Sequence, residues 1–265
     1  MKKALAVAAL TTIALVVRSR LKVRDAWADV APELRSPLLP FTAQPFTDRK
    51  LRLIRLLFGI PTRPGPGVSM VKRHVGDPPV SVLVFTPDRR STPAPGVLWL
   101  HGGGYIVGTP AFEAAGSARL ARDLGAVVVS PGYRLAPENP FPAGLDDCMA
   151  VLRWMREHAG ELGIDSDRIA VIGASAGGGM AAAVAQRSHD EGIALRAQVL
   201  IYPMLDDRST LIEDHAGRGR FAWTPDSNRY GWTAYLGRAP RISDAPEYAS
   251  PARRSDLSGL APAWV

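Results

Sequence analysis

A serine becomes a nucleophile when its hydroxyl is held clear of the chain and a base takes its proton. Gly173-Ala174-Ser175-Ala176-Gly177 has the form the first condition requires, with a short apolar run, Arg168 to Gly173, leading in and an alanine-rich run following. A sharp turn from strand to helix forces strained angles on the serine. Glycines two positions to either side let neighbouring chain approach, leaving Ser175 exposed as the candidate nucleophile. The helix behind it presents N–H groups and the positive end of its dipole to a developing oxyanion. A glycine-rich helix start is the bland alternative, and the motif's position between a predicted strand and a predicted helix argues against it.

The second constellation is His101-Gly102-Gly103-Gly104, directly after the apolar run Val97 to Leu100. Acyl transfer needs donors aimed at the oxygen that gains charge in the tetrahedral intermediate. Consecutive glycines let backbone N–H groups converge there without obstruction. A phosphate cradle is disfavoured, because no Lys-Ser/Thr follows and the glycines lack dinucleotide-fold spacing. Two predicted strands separate this loop from the serine turn, as two loops at one end of a single sheet require.

The elements that must hold these loops are legible as alternation. Val68 to His74 and Val80 to Thr86 read as an opening pair of strands, the first with the apolar/polar alternation of a half-exposed face. Val97 to Leu100, Ala126 to Ser130, Arg168 to Gly173 and Ala197 to Tyr202 are short, mostly continuous apolar runs, which suit strands buried on both faces. Helices are predicted over Phe112 to Leu124, Leu145 to His158 and Ala176 to His189; in the second, Leu145, Cys148, Met149, Leu152 and Met155 form one apolar stripe. This order implies an α/β fold, a mostly parallel sheet covered by helices on both faces, with its active site at the carboxyl ends of the strands. Pro262 to Val265 read as the start of one more strand.

Three further segments surround this core. Residues 25–67 alternate prolines with short helical runs such as Leu51, Ile54, Leu57 and Phe58, which suggests an N-terminal lid or packing layer. Residues 203–250 interrupt the alternation with Trp223, Tyr230, Trp232 and Tyr235, read either as a lid insertion over an apolar pocket or as ordinary core aromatics. In residues 1–24 an apolar run, Ala4 to Val17, precedes Arg18, Arg20, Lys22 and Arg24. It is too short to span a bilayer and has the wrong flank for a cleavable signal. A segment lying on or anchored to a membrane, a packed helix and a cleaved signal all stay open, and with them a cytoplasmic or membrane-associated location.

Composition narrows the partners. With 46% hydrophobic residues the chain can bury one sizeable core, and its 25 glycines and 23 prolines punctuate that core without forming a low-complexity tract. Although the net charge is +7, no basic stripe interleaved with aromatics exists, so no nucleic-acid partner is expected. The single cysteine, Cys148, excludes an intrachain disulfide and reads as a buried structural thiol.

His101-Gly102-Gly103-Gly104-Tyr105, the stretch Tyr133-Arg134-Leu135-Ala136-Pro137-Glu138-Asn139-Pro140-Phe141-Pro142-Ala143, and Gly173-Ala174-Ser175-Ala176-Gly177-Gly178 together resemble the hormone-sensitive-lipase-like bacterial carboxylesterases, over roughly residues 68–265. The resemblance implies an α/β-hydrolase fold with a helical lid and hydrolysis of small to medium acyl esters through an acyl-enzyme on Ser175. It implies oxyanion N–H groups at Gly103, Gly104 and Ala176. His101 would be structural in its loop, Arg134 and Glu138 would buttress the site, and no metal or cofactor would take part. Ala174 departs from the family's usual aspartate, which puts the rigidity of the turn in question. In this fold the triad runs serine, acid, histidine. By the resemblance the acid and histidine fall beyond Val265, so the strand at the C-terminal edge would be incomplete and this chain inactive, a non-catalytic or ligand-binding remnant. Amidase, lactonase and acyl-transferase readings share the same motifs. His189 lies about 20 Å along its helix from the serine. A substitute set of Ser175, Asp206 and His215 keeps the order, but His215 reads better as a surface histidine.

Overall fold

The structure, a computed structural model, describes residues 23–265. The apolar run Ala4 to Val17 and Arg18, Arg20 and Lys22 lie outside the described residues. Among the described residues no helix is long and apolar enough to cross a membrane. The described residues divide into two units, one of residues 23–47 and 212–230, the other of residues 48–211 and 231–265.

In the smaller unit a short helix, Arg24–Ala28 (α1), is followed by single 3₁₀ turns at Pro32–Leu34 and Leu39–Ala43. Phe46 packs on Trp223 at 5.7 Å between ring centroids, and the Ala222 N–H donates to Thr42 Oγ1 at 2.9 Å.

The larger unit holds one seven-stranded sheet: β1 Val68–Val75, β2 Val80–Pro87, β3 Ala94–Leu100, β4 Val127–Pro131, β5 Ile164–Ala174, β6 Ala197–Ile201 and β7 Ala263–Trp264, in spatial order β1-β2-β4-β3-β5-β6-β7. β1 and β2 pair antiparallel, as do β2 and β4, and every other pairing is parallel. The helices are α2 Asp48–Phe58, α3 Ala114–Leu124, α4 Ala143–Glu157, a single turn α5 Ala159–Leu162, α6 Ala176–Asp190 and α7 Pro225–Leu236, which from Gly231 onward belongs to this unit.

Successive side chains on a strand face opposite ways, so a strand covered on both sides must be apolar throughout. In β3, Leu98 and Leu100 enter the larger core with α4 and α6, while Val97 and Trp99 pack on the other face with α3. β4 and β5 divide the same way, with Val127, Val129 and Val171 toward α4 and α6 and Val128 and Ile172 toward α3. The α4 stripe is fully buried, Cys148 included, and burial holds that thiol well above its ordinary range.

Some expectations shift. α3 begins at Ala114, two residues later than expected, after a turn in which the Phe112 N–H donates to Thr109. Among the described residues β1 is an edge strand paired only with β2, and it is exposed over most of its length, more open than its alternation suggests. β6 stops at Ile201; Tyr202 has a positive φ of 36° and is 75% exposed. On α2, Leu51 is buried and Phe58 packs on Phe112 at 4.7 Å, but Leu57 is 55% exposed. Trp232 and Tyr235 are core aromatics, buried against Tyr105.

The loop after β4 is tied to α4 through Asp147, whose side chain is 3% exposed. It accepts the Arg134 backbone N–H at 2.8 Å and three contacts from the guanidinium at 2.8–3.0 Å. The two partners are unequal, because Arg134 can turn to water and the buried carboxylate cannot. Arg134→Ala should therefore destabilise the fold by about 2 kcal/mol, less than a fully buried pair would lose. Asp147→Asn, which keeps the backbone bond, should cost about half as much; urea unfolding midpoints of the two variants test this order.

Candidate active site

The register of the central strands brings the two glycine motifs together. Leu100 pairs with Gly173 and Trp99 with Ile172, so β3 and β5 end level and the loop at His101 begins beside Ala174. The chain then turns from β5 into α6 through Ser175, at φ 56° and ψ −119°. This strained conformation is fixed by its backbone partners. The Ser175 N–H donates to Ile201 O at 2.9 Å, and Ser175 O accepts from Gly179 N at 3.0 Å and Met204 N at 2.9 Å. A side chain at Gly177 would put its Cβ 2.1 Å from Leu100 O, so only glycine lets α6 start this close to β3.

Gly102 lies against the serine: a Cβ built there would sit 3.0 Å from Ala174 O and 3.5 Å from Ser175 Cβ. Gly103 has φ 119°, and a Cβ there would meet Val107 O at 2.0 Å. The turn that follows is closed by Ile106 N and Val107 N, which both donate to Gly103 O, at 3.1 and 3.0 Å. The N–H groups of Gly103, Gly104 and Ala176 donate to nothing among the described residues. Ala176 begins α6, where the first N–H groups have no partner within the helix. Gly102 lies against the half-buried serine, the Ala176 N–H follows it with a helix dipole behind, and the free N–H groups of Gly103 and Gly104 lie in the loop that continues from Gly102.

His101 sits beneath this loop, buried and stacked on Tyr133 at 4.2 Å. Its Nδ1 lies 2.8 Å from Gly102 O, an acceptor, so Nδ1 carries the proton; Nε2 has no protein partner. Tyr133 in turn donates its hydroxyl to His101 O at 2.7 Å. Burial pulls the imidazole from its ordinary 6.5 to about 4, with the Gly102 bond opposing.

Arg134 and Glu138 do not meet. Arg134 holds Asp147, and Glu138 receives Arg55 of α2 at 2.8 Å. Four residues have contacts in or with the loop: Tyr105 and Tyr133 stand in the stretches that carry the resemblance, while Glu113 and Arg55 carry no distinct signal in the sequence. Glu113, expected inside a helix, accepts Trp99 Nε1 at 2.7 Å and Gly102 N at 3.4 Å, and burial raises its carboxyl above the ordinary value. Tyr105, at φ 66°, donates to Met204 O at 3.1 Å and stacks on Tyr235 at 3.9 Å. Tyr133 and Arg55 complete the set.

None of the chain's five histidines is bonded to Ser175. His74 is exposed on β1, His158 packs on Trp154, and His189 lies against Gly259 at the far end of α6. Asp206 is held by Arg208, and His215 belongs to the smaller unit. No group of side chains suited to a metal ion occurs among the described residues.

A central parallel sheet, a strained serine between strand and helix, and a glycine loop with free N–H groups beside it define an α/β hydrolase. A sequence profile described as the alpha/beta hydrolase fold matches residues 97–265, and the chain belongs to that family, within its hormone-sensitive-lipase-like esterases. The chain is 32% identical over 254 residues to esterase LipI of Mycobacterium tuberculosis, an alignment covering 91% of this chain and 78% of that protein. To an arylesterase of Saccharolobus solfataricus it is 34% identical over 172 residues, 64% of this chain. The chain spans only 56% of that arylesterase's length. A solved bacterial heroin esterase superposes with a TM-score of 0.71 at 38% identity, covering 80% of this chain and 69% of that one.

Because the folded state resists a proton that the unfolded chain accepts, the contribution of His101 to stability is complete above pH 6.5 and fades as pH falls toward 4. Between about pH 7 and about pH 4 the loss should reach roughly 3 kcal/mol. His101→Asn should flatten the fall in urea midpoint across that range; equal slopes for the two proteins would contradict it.

Proposed function

We propose that this chain carries the acyl-transfer machinery of a carboxylic-ester hydrolase, with Ser175 as nucleophile. The observation that supports this most is the set of free N–H groups at Gly103, Gly104 and Ala176 beside Ser175. In the family's reaction Ser175 Oγ attacks the ester carbonyl as its proton passes to a histidine base, a group that none of the five histidines here is placed to supply. Charge collects on the carbonyl oxygen, where these backbone donors stabilise it. The carbon–oxygen bond to the alcohol then breaks, the alcohol leaves with a proton, and water hydrolyses the acyl-serine. Burial of His101, with Nε2 enclosed and not bonded to Ser175, argues against it as the base. It braces the loop, as do Arg134 and Glu138 at one remove. The arylesterase and esterase names of the relatives support an ester substrate, and small to medium acyl groups are what the family resemblance implies.

A second reading rests on a separate observation, that no histidine is bonded to the serine. A site with donors and no base binds an ester or its carboxylate without turning it over at the family's rate. Triad residues act as a unit, and without the base roughly 10³-fold acceleration over water is the level expected.

Incubation with a fluorophosphonate probe should place a phosphonyl adduct on Ser175, with none in Ser175→Ala, while p-nitrophenyl acetate turns over at that residual level. An adduct on another residue overturns the assignment of Ser175. No adduct, together with saturable binding of a carboxylate product, favours the binding reading.

A further inference from the structure

Arg55 lies on α2, far in sequence from both glycine motifs. Its side chain is 27% exposed and its guanidinium reaches two separate segments, the turn at Ile106 and the loop after β4. Nε donates to Ile106 O at 2.8 Å, one terminal nitrogen donates to Ala136 O at 2.7 Å, and the two terminal nitrogens bind both oxygens of Glu138 at 2.8 Å. Ile106 stands in the turn whose N–H groups close onto Gly103 O, so holding its carbonyl holds the peptide planes that aim the Gly103 and Gly104 donors. Ala136 N donates to Tyr105 O at 3.0 Å, which ties the loop after β4 to the same turn. A second link runs the same way, from Thr109 Oγ1 to Phe58 O at 2.8 Å.

We propose that Arg55 is a positioning residue for the oxyanion loop, fixing from α2 the orientation of the donors beside Ser175; this rests on the reading of Ser175 given above. The fork geometry is what matters. A lysine offers donors from a single point and cannot reach Ile106 O, Ala136 O and both Glu138 oxygens together. Glu138 is 58% exposed, and an ion pair so open to water contributes little by itself. The two carbonyl bonds are therefore the part of the clamp that sets the loop.

The test uses the full chain in wild-type, Arg55→Ala, Arg55→Lys and Glu138→Gln forms, with Arg119→Ala of the exposed Arg119–Asp123 pair as a surface control. Two readouts are taken: amide hydrogen exchange resolved at Ile106 and Val107, and the saturating rate of phosphonylation of Ser175 separated from the probe's binding constant. In Arg55→Ala, exchange at Ile106 and Val107 should quicken at least ~10-fold while peptides from β3 to β6 keep their protection. The phosphonylation rate should fall roughly 10- to 100-fold with little change in probe binding. Arg55→Lys should fall between Arg55→Ala and wild type, and Glu138→Gln should lose less than Arg55→Ala. A residue that merely stabilised the fold would quicken exchange everywhere and leave the rate of the folded fraction alone. If Arg55→Ala does not fold, the same readouts on Arg55→Lys decide. Unchanged exchange at Ile106 and Val107 overturns the inference whether or not Ser175 reacts, as does an unchanged rate in a protein whose wild type is labelled. If wild type is not labelled at Ser175, the nucleophile assignment fails and the exchange result alone judges the clamp.

Discussion

The approach of the β5–α6 turn to the end of β3 is the contact on which the rest of the site depends. Leu100 and Gly173 are register partners, and the Leu100 carbonyl lies where a side chain on Gly177 would be. Were the two strands to end one residue apart, the glycine loop and the serine would face different neighbours, since each step along a strand reverses the side chain's direction. A non-glycine residue held at positive φ costs about 1–3 kcal/mol. Three backbone hydrogen bonds through Ser175, each contributing about 1 kcal/mol, offset it. The strain is thus held by β6, the first turn of α6 and the Met204 segment, not by any side chain beside the serine.

A loop that keeps backbone N–H groups free must be shaped by its other atoms. Here the neighbouring groups are engaged one by one: Gly102 N by Glu113, Gly103 O by Ile106 N and Val107 N, Tyr105 O by Ala136 N, and Ile106 O by Arg55. Beneath them the stacked pair His101 and Tyr133 fills the space without adding charge, because burial keeps the imidazole neutral. A charged imidazole there would be an uncompensated cation in a dry interior. The free N–H groups are consequently held by the folding of the loop, the kind of fixed donor that the proposed oxyanion role requires.

Much of this architecture is legible in the sequence because it rests on local pattern. Apolar runs of strand length, the α4 stripe and the glycines around Ser175 each declare themselves within a few residues. The features that escape the sequence depend on partners distant along the chain. Arg55 reads as one more cation in a helical run until Ile106, Ala136 and Glu138 surround it. Glu113 reads as an ordinary residue of a helix start until Trp99 and Gly102 turn toward it. Periodicity placed Leu57 on the inner face with Leu51 and Ile54. In the structure Leu51 is buried and Leu57 is exposed, while Arg55 takes its place on the inner side through the carbonyls of Ile106 and Ala136. Alternation in β1 cannot register that the strand lies at an edge.

The departure at Ala174 bears on how such a site tolerates change. An aspartate beside the serine would have offered side-chain hydrogen bonds to rigidify the turn. In this chain Ala174 pairs with Ile201 in the sheet, and the next residue is fixed through its own N–H and carbonyl. Every group that shapes the donors is either main chain or a side chain reaching main chain, as with Arg55 to Ile106 and Tyr105 to Met204. Main-chain partners survive most substitutions, because every residue except proline supplies the same N–H and carbonyl. Rigidity at the serine is therefore a property of register and loop closure, and alanine at position 174 leaves both in place.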